Sequence, residues 1–459
     1  MQIPEELLNK YNTPVPRYTS YPPANHFREG FTSGDHIRMI NESNSCEPSN
    51  IAIYIHIPFC KKICYYCGCN SCVTGDGSLV GPYIDALKKE ISIVTGNLDK
   101  TRKISQIHYG GGTPNAIDPS YIEDLNNIFY KNFNLIEKPE IAIECNPDSL
   151  DEKKIDRYIK SGFNRFSIGV QDFNTTVLRN VNRAVPAIHP GELLKYIRNS
   201  GSNAGVNFDF IFGLPGQTAA TFAETIEKAA DIKPDRLVTF SYAHVPWIKK
   251  HQVILEKKGL PQPGEKMKMF LDTFNSLGKK GYSPIGLDHF VLPEDDLYKA
   301  YTQNQLHRNF QGYCTRRTTG QVYAFGVTAI SQFENGYVQN MKEIPAYIDS
   351  VEKGILPAEK GCEVTAVQKI TREVINKLMC NKVINFTEIA ESLSITADEL
   401  KTAVNFREER LDEFRNDGLL SYNGNELEVS ENGTMFIRNI AAIFDREYQE
   451  KGKTYSKTV

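Results

Sequence analysis

The feature that most constrains the fold is an alternation of apolar, strand-like runs with segments of helical period between about residues 50 and 290. Short runs rich in β-branched and aromatic residues predict strands, and longer segments with apolar residues three or four positions apart predict helices. The strand candidates are residues 51–57, 104–110, 140–145, 164–170, 206–214, 236–243 and, more weakly, 283–290. The helix candidates between them include residues 80–96, 120–133, 191–201 and 218–231.

Strands that alternate with helices build a parallel sheet through right-handed crossovers. Six or seven such units predict an α/β fold of the open, partial (β/α)6 barrel type. In barrels of this kind the reactive side chains collect at the carboxyl ends of the strands. We therefore expect the polar residues that follow each predicted strand to lie on one rim.

The pattern divides the chain into four predicted domains. They are an N-terminal arm (1–49), the barrel (50–290), a lid and connecting segment (291–359) and a mostly helical, winged-helix-like C-terminal domain (360–459). The arm has little periodicity and contains PRYTSYPPANHF, so we expect extended chain there. Near the C-terminus, a small hairpin is predicted to turn at Asn423 and Gly424.

Charge and hydropathy exclude several classes of protein. The formal net charge is −3, and the basic residues are scattered rather than gathered into the patch that a nucleic-acid surface needs. No apolar run approaches the roughly 18 residues of a membrane span, and the first residues lack the layout of a secretory signal. We therefore expect a cytoplasmic protein that binds neither nucleic acid nor membrane.

The cysteines are unevenly placed, since five of the ten lie between Cys60 and Cys72. In a cytosolic chain thiols stay reduced, so such a group indicates metal or redox chemistry. Cys60, Cys64 and Cys67 have the Cys-x3-Cys-x2-Cys spacing that supplies three thiolates to a 4Fe–4S cluster and leaves one iron open. Cys69 is a rival ligand, although two positions from Cys67 it would reach another corner of the cube awkwardly. A zinc site and a chance group of buried thiols are the alternatives.

Other polar motifs follow the remaining strands. YGGGTP (109–114) comes after the second strand, where glycines let the backbone approach a ligand closely and its N–H and C=O groups can bind charged groups. Glu144 ends the third strand, Gln171 follows the fourth, Asp209 lies in the fifth and Ala243 closes the sixth. Arg183, further along the chain, is a suitable partner for a carboxylate.

The cysteine spacing, its position after the first strand and the aromatic Tyr66 before the last cysteine together resemble the radical S-adenosylmethionine superfamily. The resemblance implies that S-adenosylmethionine binds the open iron of the cluster. It also implies that one electron cleaves this cofactor to methionine and a 5′-deoxyadenosyl radical, while the protein binds, orients and shields the reacting groups.

Nearly the whole chain is similar to one family, the oxygen-independent coproporphyrinogen III oxidases. The matching stretches are residues 16–22, 53–70, 108–114, 163–174, 210–218, 234–244, 286–290, 306–313 and 324–331. The sequence departs from the pattern that we expect of the family at Tyr66, often Phe, at Cys145 and Asn146, and in the segment CTRRTTGQVY (314–323). The last change adds Arg316 and Arg317 near the predicted lid.

The family resemblance implies oxidative decarboxylation of two propionate groups of coproporphyrinogen III to vinyl groups, giving protoporphyrinogen IX in haem biosynthesis. It implies a second molecule of S-adenosylmethionine, reduced flavodoxin or ferredoxin as electron donor, and a monomer. Cys60, Cys64 and Cys67 would hold the cluster, and Cys69, Tyr54 and Arg308 are the catalytic candidates. The implied contacts of S-adenosylmethionine are Tyr54, Tyr66, Gly111, Gly112, Thr113, Glu144, Gln171, Arg183, Asp209, Ala243 and Ile330.

A tetrapyrrole with four carboxylates calls for cationic and aromatic partners, which Arg17, Tyr18, His307 and Arg308 supply in the arm and lid. Three alternative functions remain: a haem chaperone that does not decarboxylate, a radical methyltransferase that opens haem, and a ferredoxin-like electron carrier. The chaperones typically lack the counterparts of Cys69, YTSYP and HRNFQGY, all of which are present here. A plain electron carrier predicts neither a barrel nor S-adenosylmethionine binding.

Overall fold

A computed structural model of the chain describes residues 3–449. Its strands, in chain order, are β1 Arg28–Glu29, β2 Ile51–Ile57, β3 Phe59–Cys60, β4 Cys72–Val73, β5 Ile104–Gly111, β6 Leu135–Cys145, β7 Arg165–Gln171, β8 Gly205–Phe212, β9 Arg236–Ser241, β10 Ser283–Ile285, β11 His289–Val291, β12 Leu306–Asn309, β13 Gly312–Thr315, β14 Gln321–Phe325, β15 Ile330–Phe333, β16 Gly336–Asn340, β17 Ala358–Glu363, β18 Val383–Asn385, β19 Leu420–Tyr422 and β20 Glu426–Val429.

The α-helices are α1 Glu5–Tyr11, α2 Ser33–Ser43, α3 Val80–Gly96, α4 Pro119–Asn132, α5 Glu152–Lys160, α6 Thr175–Asn180, α7 Pro190–Asn199, α8 Ala219–Ile232, α9 Val253–Lys257, α10 Pro263–Lys279, α11 Asp296–Thr302, α12 Ile344–Glu352, α13 Ala366–Asn381, α14 Phe386–Ser392, α15 Ala397–Ala403, α16 Asp412–Asn416 and α17 Ile437–Ala441. None of the helices within residues 3–449 combines the length and apolarity that a membrane crossing requires.

The chain forms two compact units, each assembled from separate segments. Among the described residues, the first unit, here called the arm unit, comprises residues 3–27, 270–316 and 364–449, and the second, the sheet unit, comprises residues 28–269 and 317–363. The units cut across the four predicted domains, because the arm and the predicted lid are each divided between them. The four-domain division describes stretches of sequence and stays a prediction.

The sheet unit is built on one open sheet with the strand order β1-β17-β16-β15-β14-β2-β5-β6-β7-β8-β9. The strands from β14 to β9 in this order run parallel, and β15, β16, β17 and β1 extend the sheet with antiparallel pairings. Six of the seven residues of β2 are buried, as expected for a strand covered on both faces. The predicted class, an α/β open partial barrel, is confirmed.

The seventh strand candidate forms two short strands instead of one. Residues 283–290 form the antiparallel hairpin β10–β11 of the arm unit, and β14 is the seventh parallel strand, next to β2. The short length and antiparallel pairing of β10 and β11 were not visible in a run that contains only a few apolar residues. Residues 236–243 were also predicted as strand, but β9 ends at Ser241, so Ala243 lies two residues beyond it.

The N-terminal residues are less extended than predicted, because α1 and α2 form there. A capping box between Thr32 and Asp35 satisfies the first amides of α2. In the C-terminal part of the arm unit, helices α13 to α16 accompany the three-stranded sheet β18-β20-β19. Its β19–β20 hairpin turns at Asn423 and Gly424, as predicted, with Gly424 at φ +98°.

Candidate active site

The predicted cluster ligands lie on a loop that the sheet unit holds at several points. The loop leaves β3 and returns in β4, which pairs parallel with β3. The amide of Cys72 donates to Pro58 O at 2.8 Å, and the amide of Tyr65 donates to Val181 O at 2.9 Å. The side-chain amide of Asn182 donates to Ile63 O at 2.8 Å. All these hydrogen bonds are made within the protein, so they hold the loop in place without a cofactor.

Each of the three thiols has a different polar neighbour. Cys60 Sγ lies 3.3 Å from Thr113 Oγ1, Cys64 Sγ accepts from Arg183 Nη1 at 3.7 Å, and Cys67 Sγ lies 3.7 Å from Ser71 Oγ. Burial raises the pKa of Cys60 to about 11. A hydrogen bond from Cys69 lowers the pKa of Cys67 to about 6. Cys69, the rival fourth ligand, is exposed and interacts with Cys67 instead.

The glycine run of β5 packs directly against the cysteine loop. Gly111 has φ +111°, and a Cβ on Gly112 would lie 2.6 Å from Pro58 O and 3.1 Å from Cys60 Sγ. Larger residues therefore do not fit. The amides of Gly112 and Thr113 donate to Ile57 O and Phe59 O at 2.8 and 3.0 Å. Any contact between these two residues and a cofactor would thus come from carbonyl or side-chain oxygens rather than from these amides.

Charged side chains meet at the ends of β2, β5 and β6. His108 Nε2 lies 3.0 Å from Glu144 Oε1, and the rings of Tyr54 and His108 stack with their centroids 6.0 Å apart. The Tyr54 hydroxyl lies 3.3 Å from His56 Nδ1. Burial alone would lower the pKa of His108, but the carboxylates of Glu144, Glu140 and Asp209 together raise it. His108 thus connects Tyr54 to Glu144, and His56 connects Tyr54 to Asn70 O, which lies 2.8 Å from its Nε2; the sequence analysis selected neither histidine.

Gln171 and Arg183 come together at the end of β7. Gln171 takes a left-handed conformation, with φ +68°. Its Oε1 is buried and has no hydrogen-bond partner within residues 3–449. Arg183 donates to Gly169 O and, at 3.0 Å, to the hydroxyl of Tyr66. Asp172, the next residue, is held in place because its carboxylate accepts hydrogen bonds from Gln217 and Thr225 at 2.8 and 2.6 Å.

The other predicted cofactor contacts also belong to the sheet unit. Ser167 Oγ donates to Asp209 Oδ2 at 2.7 Å, which joins β7 to β8. Ala243 follows β9, and Ile330 begins β15. All the residues predicted to contact S-adenosylmethionine therefore belong to the sheet unit, and their role as its contacts stays a prediction.

A buried carboxylate that the sequence analysis overlooked positions the loop before Ile330. Glu90, on α3, is fully buried and accepts from the Gly326 amide at 2.9 Å, from Asn340 Nδ2 at 2.6 Å and from the Tyr347 hydroxyl at 2.6 Å. Burial raises the pKa of Glu90 to about 7. Within α3 it occupied a core-facing position of the helical pattern, which was the only sequence signal available.

In the arm unit, one of the predicted substrate residues, Arg308, contacts the backbone of PRYTSYP. Arg308 Nη1 donates to Arg17 O at 3.2 Å and to Tyr18 O at 3.4 Å, and its guanidinium lies 5.1 Å from the ring centroid of Tyr313. Its Nε is buried without a hydrogen-bond partner in the part of the chain that the structure describes. The hydroxyl of Tyr18 donates to Asp445 at 3.0 Å, so it is engaged within the protein.

His307 differs from the cation that the sequence analysis expected. Its Nδ1 lies 3.1 Å from Asn376 Nδ2 on α13. Burial lowers its pKa to about 3, and the positive charges of Arg316 and Arg372 add to the effect. His307 is therefore neutral near pH 7 and offers no positive charge to a carboxylate in this arrangement.

Comparison with known proteins shows which family the chain belongs to. Residues 54–229 match the model of the radical SAM superfamily. The oxygen-independent coproporphyrinogen III oxidase of Synechocystis is 40% identical over 99% of this chain and 97% of its own length. The enzyme of the same name from Escherichia coli K12 is 37% identical over 97% and 96%. A solved structure of Escherichia coli coproporphyrinogen III oxidase, described as a radical SAM enzyme, superposes with a TM-score of 0.88 at 34% identity, covering 97% of this chain and 99% of that one.

The chain belongs to the oxygen-independent coproporphyrinogen III oxidases. It is accordingly a radical SAM enzyme, and members of that superfamily use a 4Fe–4S cluster and S-adenosylmethionine. The α/β fold of this oxidase matches the fold predicted from the sequence, whereas the roles of its site residues stay predictions.

The residues of this oxidase suit the cluster that its superfamily implies. No three His, Cys, Asp or Glu side chains within residues 3–449 are placed to hold a single metal ion. A four-iron cube instead takes one thiolate at each of three separate corners, and Cys60, Cys64 and Cys67 are the thiols of one short, pinned loop. The partnerless Gln171 Oε1 and the glycine run against Cys60 are features of a rim built to receive a ligand.

Proposed function

We propose that this oxidase converts two propionate groups of coproporphyrinogen III to vinyl groups without oxygen and so forms protoporphyrinogen IX. The observation that carries the proposal is the similarity to enzymes of that name over nearly the full length of the chain. A cluster-bound S-adenosylmethionine would supply a 5′-deoxyadenosyl radical that takes a β-hydrogen from the propionate. Loss of carbon dioxide and of one electron to an acceptor then leaves the vinyl group.

We assign Cys60, Cys64 and Cys67 to the cluster. Their environments support this role, because Arg183 provides a positive charge next to Cys64, and Cys69 stabilises the thiolate form of Cys67. Cys69 is assigned a catalytic role rather than a ligand role, since it is exposed and interacts with the ligand Cys67.

Glu144 and Arg183 are proposed to hold the charged amino-acid end of S-adenosylmethionine. Glu144 is paired with His108 and keeps a half-exposed carboxylate that can accept from an ammonium group. Gln171, Asp209, Ala243 and Ile330 follow it around the rim, together with Tyr54, Tyr66, Gly111, Gly112 and Thr113. The extent of this rim, from β2 to β9 and β15, leads us to propose two molecules of the cofactor.

The arm unit supplies positive charge for the carboxylates of the tetrapyrrole. Arg17, Arg308 and Arg438 interact electrostatically with one another, and the burial of Arg438 next to these like charges lowers its pKa to about 9. One carboxylate, Asp288, lies among them. Burial would raise the pKa of Asp288, but His289, Arg308 and Arg17 lower it. Positive charge is thus in excess, which favours binding of propionate groups by Arg17 and Arg308.

The decisive experiment is an anaerobic incubation of the cluster-loaded enzyme with S-adenosylmethionine, a reductant and coproporphyrinogen III, with products identified by mass. We expect the substrate to lose two carbon dioxide molecules and four hydrogen atoms. A methylated product would indicate a haem-opening methyltransferase instead. Binding of haem with no decarboxylation would indicate a chaperone. Light scattering of the same preparation tests the proposal that the enzyme is a monomer.

A further inference from the structure

A short segment after β9 packs against the cysteine loop. His251 Nε2 lies 3.0 Å from Cys67 O, Lys249 Nζ donates to Cys69 O at 2.7 Å, and Gln252 Nε2 donates to Tyr66 O at 3.0 Å. None of these contacts is needed to bind S-adenosylmethionine or substrate in the function proposed above. They connect a surface segment directly to the backbone of the cluster ligand Cys67.

The outer side of this segment is apolar and exposed. Trp247 and Ile248 are 64% and 67% exposed, the highest values among the large apolar residues in the part of the chain that the structure describes. Trp247 is also the single tryptophan of the chain. Val253 and Ile254, a few residues further on, are 40% and 37% exposed. Exposed apolar patches on soluble proteins mark interaction sites, whereas single exposed apolar residues are ordinary. Four exposed apolar residues within eight positions therefore indicate an interaction surface.

The segment is also strongly basic. Residues 245–258 contain Lys249, Lys250, Lys257 and Lys258 but only one acidic residue, Glu256, which is paired with His244 at 2.7 Å. Lys61 and Lys62, on the cysteine loop, are exposed as well. The chain as a whole has an excess of acidic residues, with net charge −3. A local positive surface on an acidic protein favours encounter with a negatively charged partner.

We propose that Trp247, Ile248, Lys249, Lys250, Lys257 and Lys258 form a docking surface for a small acidic electron-transfer protein that carries a flavin. The proposal rests on the proposed function, because the cluster must gain one electron for each S-adenosylmethionine that is cleaved. The carrier is oxidised by one electron and the cluster is reduced by one, so no atom or proton needs to cross the interface. His251 and the Cys67 backbone provide the connection from the surface to the ligand loop.

The chemistry of the surface selects this occupant. Lysines next to exposed apolar residues match a carrier whose acidic surface adjoins the apolar dimethylbenzene edge of its flavin. Transient electron-transfer interfaces are also small, as this surface is. A second copy of this chain is disfavoured, because a two-fold contact would bring the same lysines face to face. An anionic lipid surface also suits lysine and tryptophan, so it is made an outcome of the test.

The first measurement is binding of oxidised flavodoxin to the cluster-loaded enzyme by isothermal titration calorimetry at low and high salt. We expect the double variant K250E/K258E to raise Kd about tenfold or more at low salt, with the difference shrinking as salt screens the charges. W247A should weaken binding while leaving the salt dependence as it is in wild type. The matched control is K153E/K160E on α5, which reverses two exposed lysines elsewhere in the sheet unit and should bind like wild type.

The second measurement is formation of 5′-deoxyadenosine driven either by reduced flavodoxin or by dithionite. K250E/K258E should lose most of the flavodoxin-driven rate and keep the dithionite-driven rate, since a small reductant needs no docking surface. Wild-type binding and flavodoxin-driven rate in K250E/K258E would overturn the proposal. It would also be overturned if anionic vesicles, but not flavodoxin, bound in a manner that depends on Trp247. If wild type forms no 5′-deoxyadenosine even with dithionite, the proposed function is wrong. The docking surface is still tested in that case, because the calorimetric measurement does not require turnover.

Discussion

The two units of this oxidase gather charged residues in different ways. In the sheet unit, Tyr54, Glu144 and Asp209 lie on β2, β6 and β8, three strands of the parallel part of the sheet, whose carboxyl ends share one edge by the nature of the fold. In the arm unit, Arg17, Asp288 and Arg438 come from three segments that lie far apart in the chain. The rim is therefore a consequence of a repeated local pattern, whereas the arginine group depends on how distant segments pack.

The largest expected effect concerns the cysteine loop of the sheet unit. Cys60→Ala, Cys64→Ala and Cys67→Ala should each abolish assembly of the 4Fe–4S cluster, because three thiolates are the minimum for an open-iron cube. Cys69→Ala should retain iron while reducing activity. Iron and sulfide content and the visible absorption of anaerobically reconstituted protein measure this, with Cys362→Ala as a control outside the loop. A cluster lost from the Cys69 variant but kept in one of the other three would reverse the ligand assignment.

The next largest effect, on the rate of decarboxylation, should come from variants in the arm unit. Arg308→Ala should keep the cluster and the affinity for S-adenosylmethionine, yet lower the rate of decarboxylation about ten- to hundredfold through loss of a charge-assisted carboxylate contact. Arg17→Ala should act in the same direction, and His307→Ala less, since His307 is neutral. Arg316→Ala serves as the control, because Arg316 lies 3.9 Å from Glu373. Three variants at positions 17, 307 and 308 that turn over substrate like wild type would disprove the carboxylate-binding role.

The opposite pattern is expected for the charged residues of the rim. Glu144→Gln and Arg183→Gln should keep the iron but bind S-adenosylmethionine more weakly, by roughly 1.5–3 kcal/mol or about ten- to hundredfold in Kd. Equilibrium binding to the cluster-loaded protein measures the change. Glu137→Gln, an exposed position on the same strand as Glu144, should bind like wild type. Unchanged affinity in both rim variants would refute the assigned pocket.

The most gradual effect is a pH dependence of stability, which should belong to the sheet unit. Glu90 has an ordinary pKa of 4.5, raised to about 7 by burial in the folded protein, so the folded state binds its proton more tightly. This contribution to stability is fully present below about pH 4.5 and is lost as pH rises to about 7, amounting to a few kcal/mol at most. Denaturant unfolding should show a fall in the free energy of unfolding across this window. Glu90→Gln should remove that part of the slope, and an unchanged slope would rule out Glu90 as its source.

Periodicity predicted the sheet unit well, because its elements form where local residue patterns already favour them. The helix α3 and the strand β2 were predicted at their observed ends, because length and apolar spacing agree there. The same method failed for residues 283–290, whose pairing partner is determined by a short turn rather than by their own composition. It also failed for the arm, where α1 and α2 are short and their apolar residues few.

The residues of the site divide in the same way, into those that a contiguous sequence signal identified and those that only the folded chain shows. Cysteine spacing and the glycine run identified the loop and its neighbour on β5, because both signals are contiguous in the chain. His56, His108 and Glu90 were not selected, since a histidine or glutamate within an apolar strand or helix gives no sign of what its side chain meets. Only the folded chain shows Glu90 accepting from Gly326 and Tyr347, more than 200 residues away.

The sequence by itself determined the α/β class, the cysteine loop and the strand ends that carry the polar residues, because these features follow from spacings within a few tens of residues. The tertiary structure decided which distant segments share a unit, and with them the charge states of the groups they bury. His307 shows the reason most clearly. Its residue type suggests a cation, but burial near Arg316 and Arg372 makes the charged form unfavourable and holds the pKa at about 3.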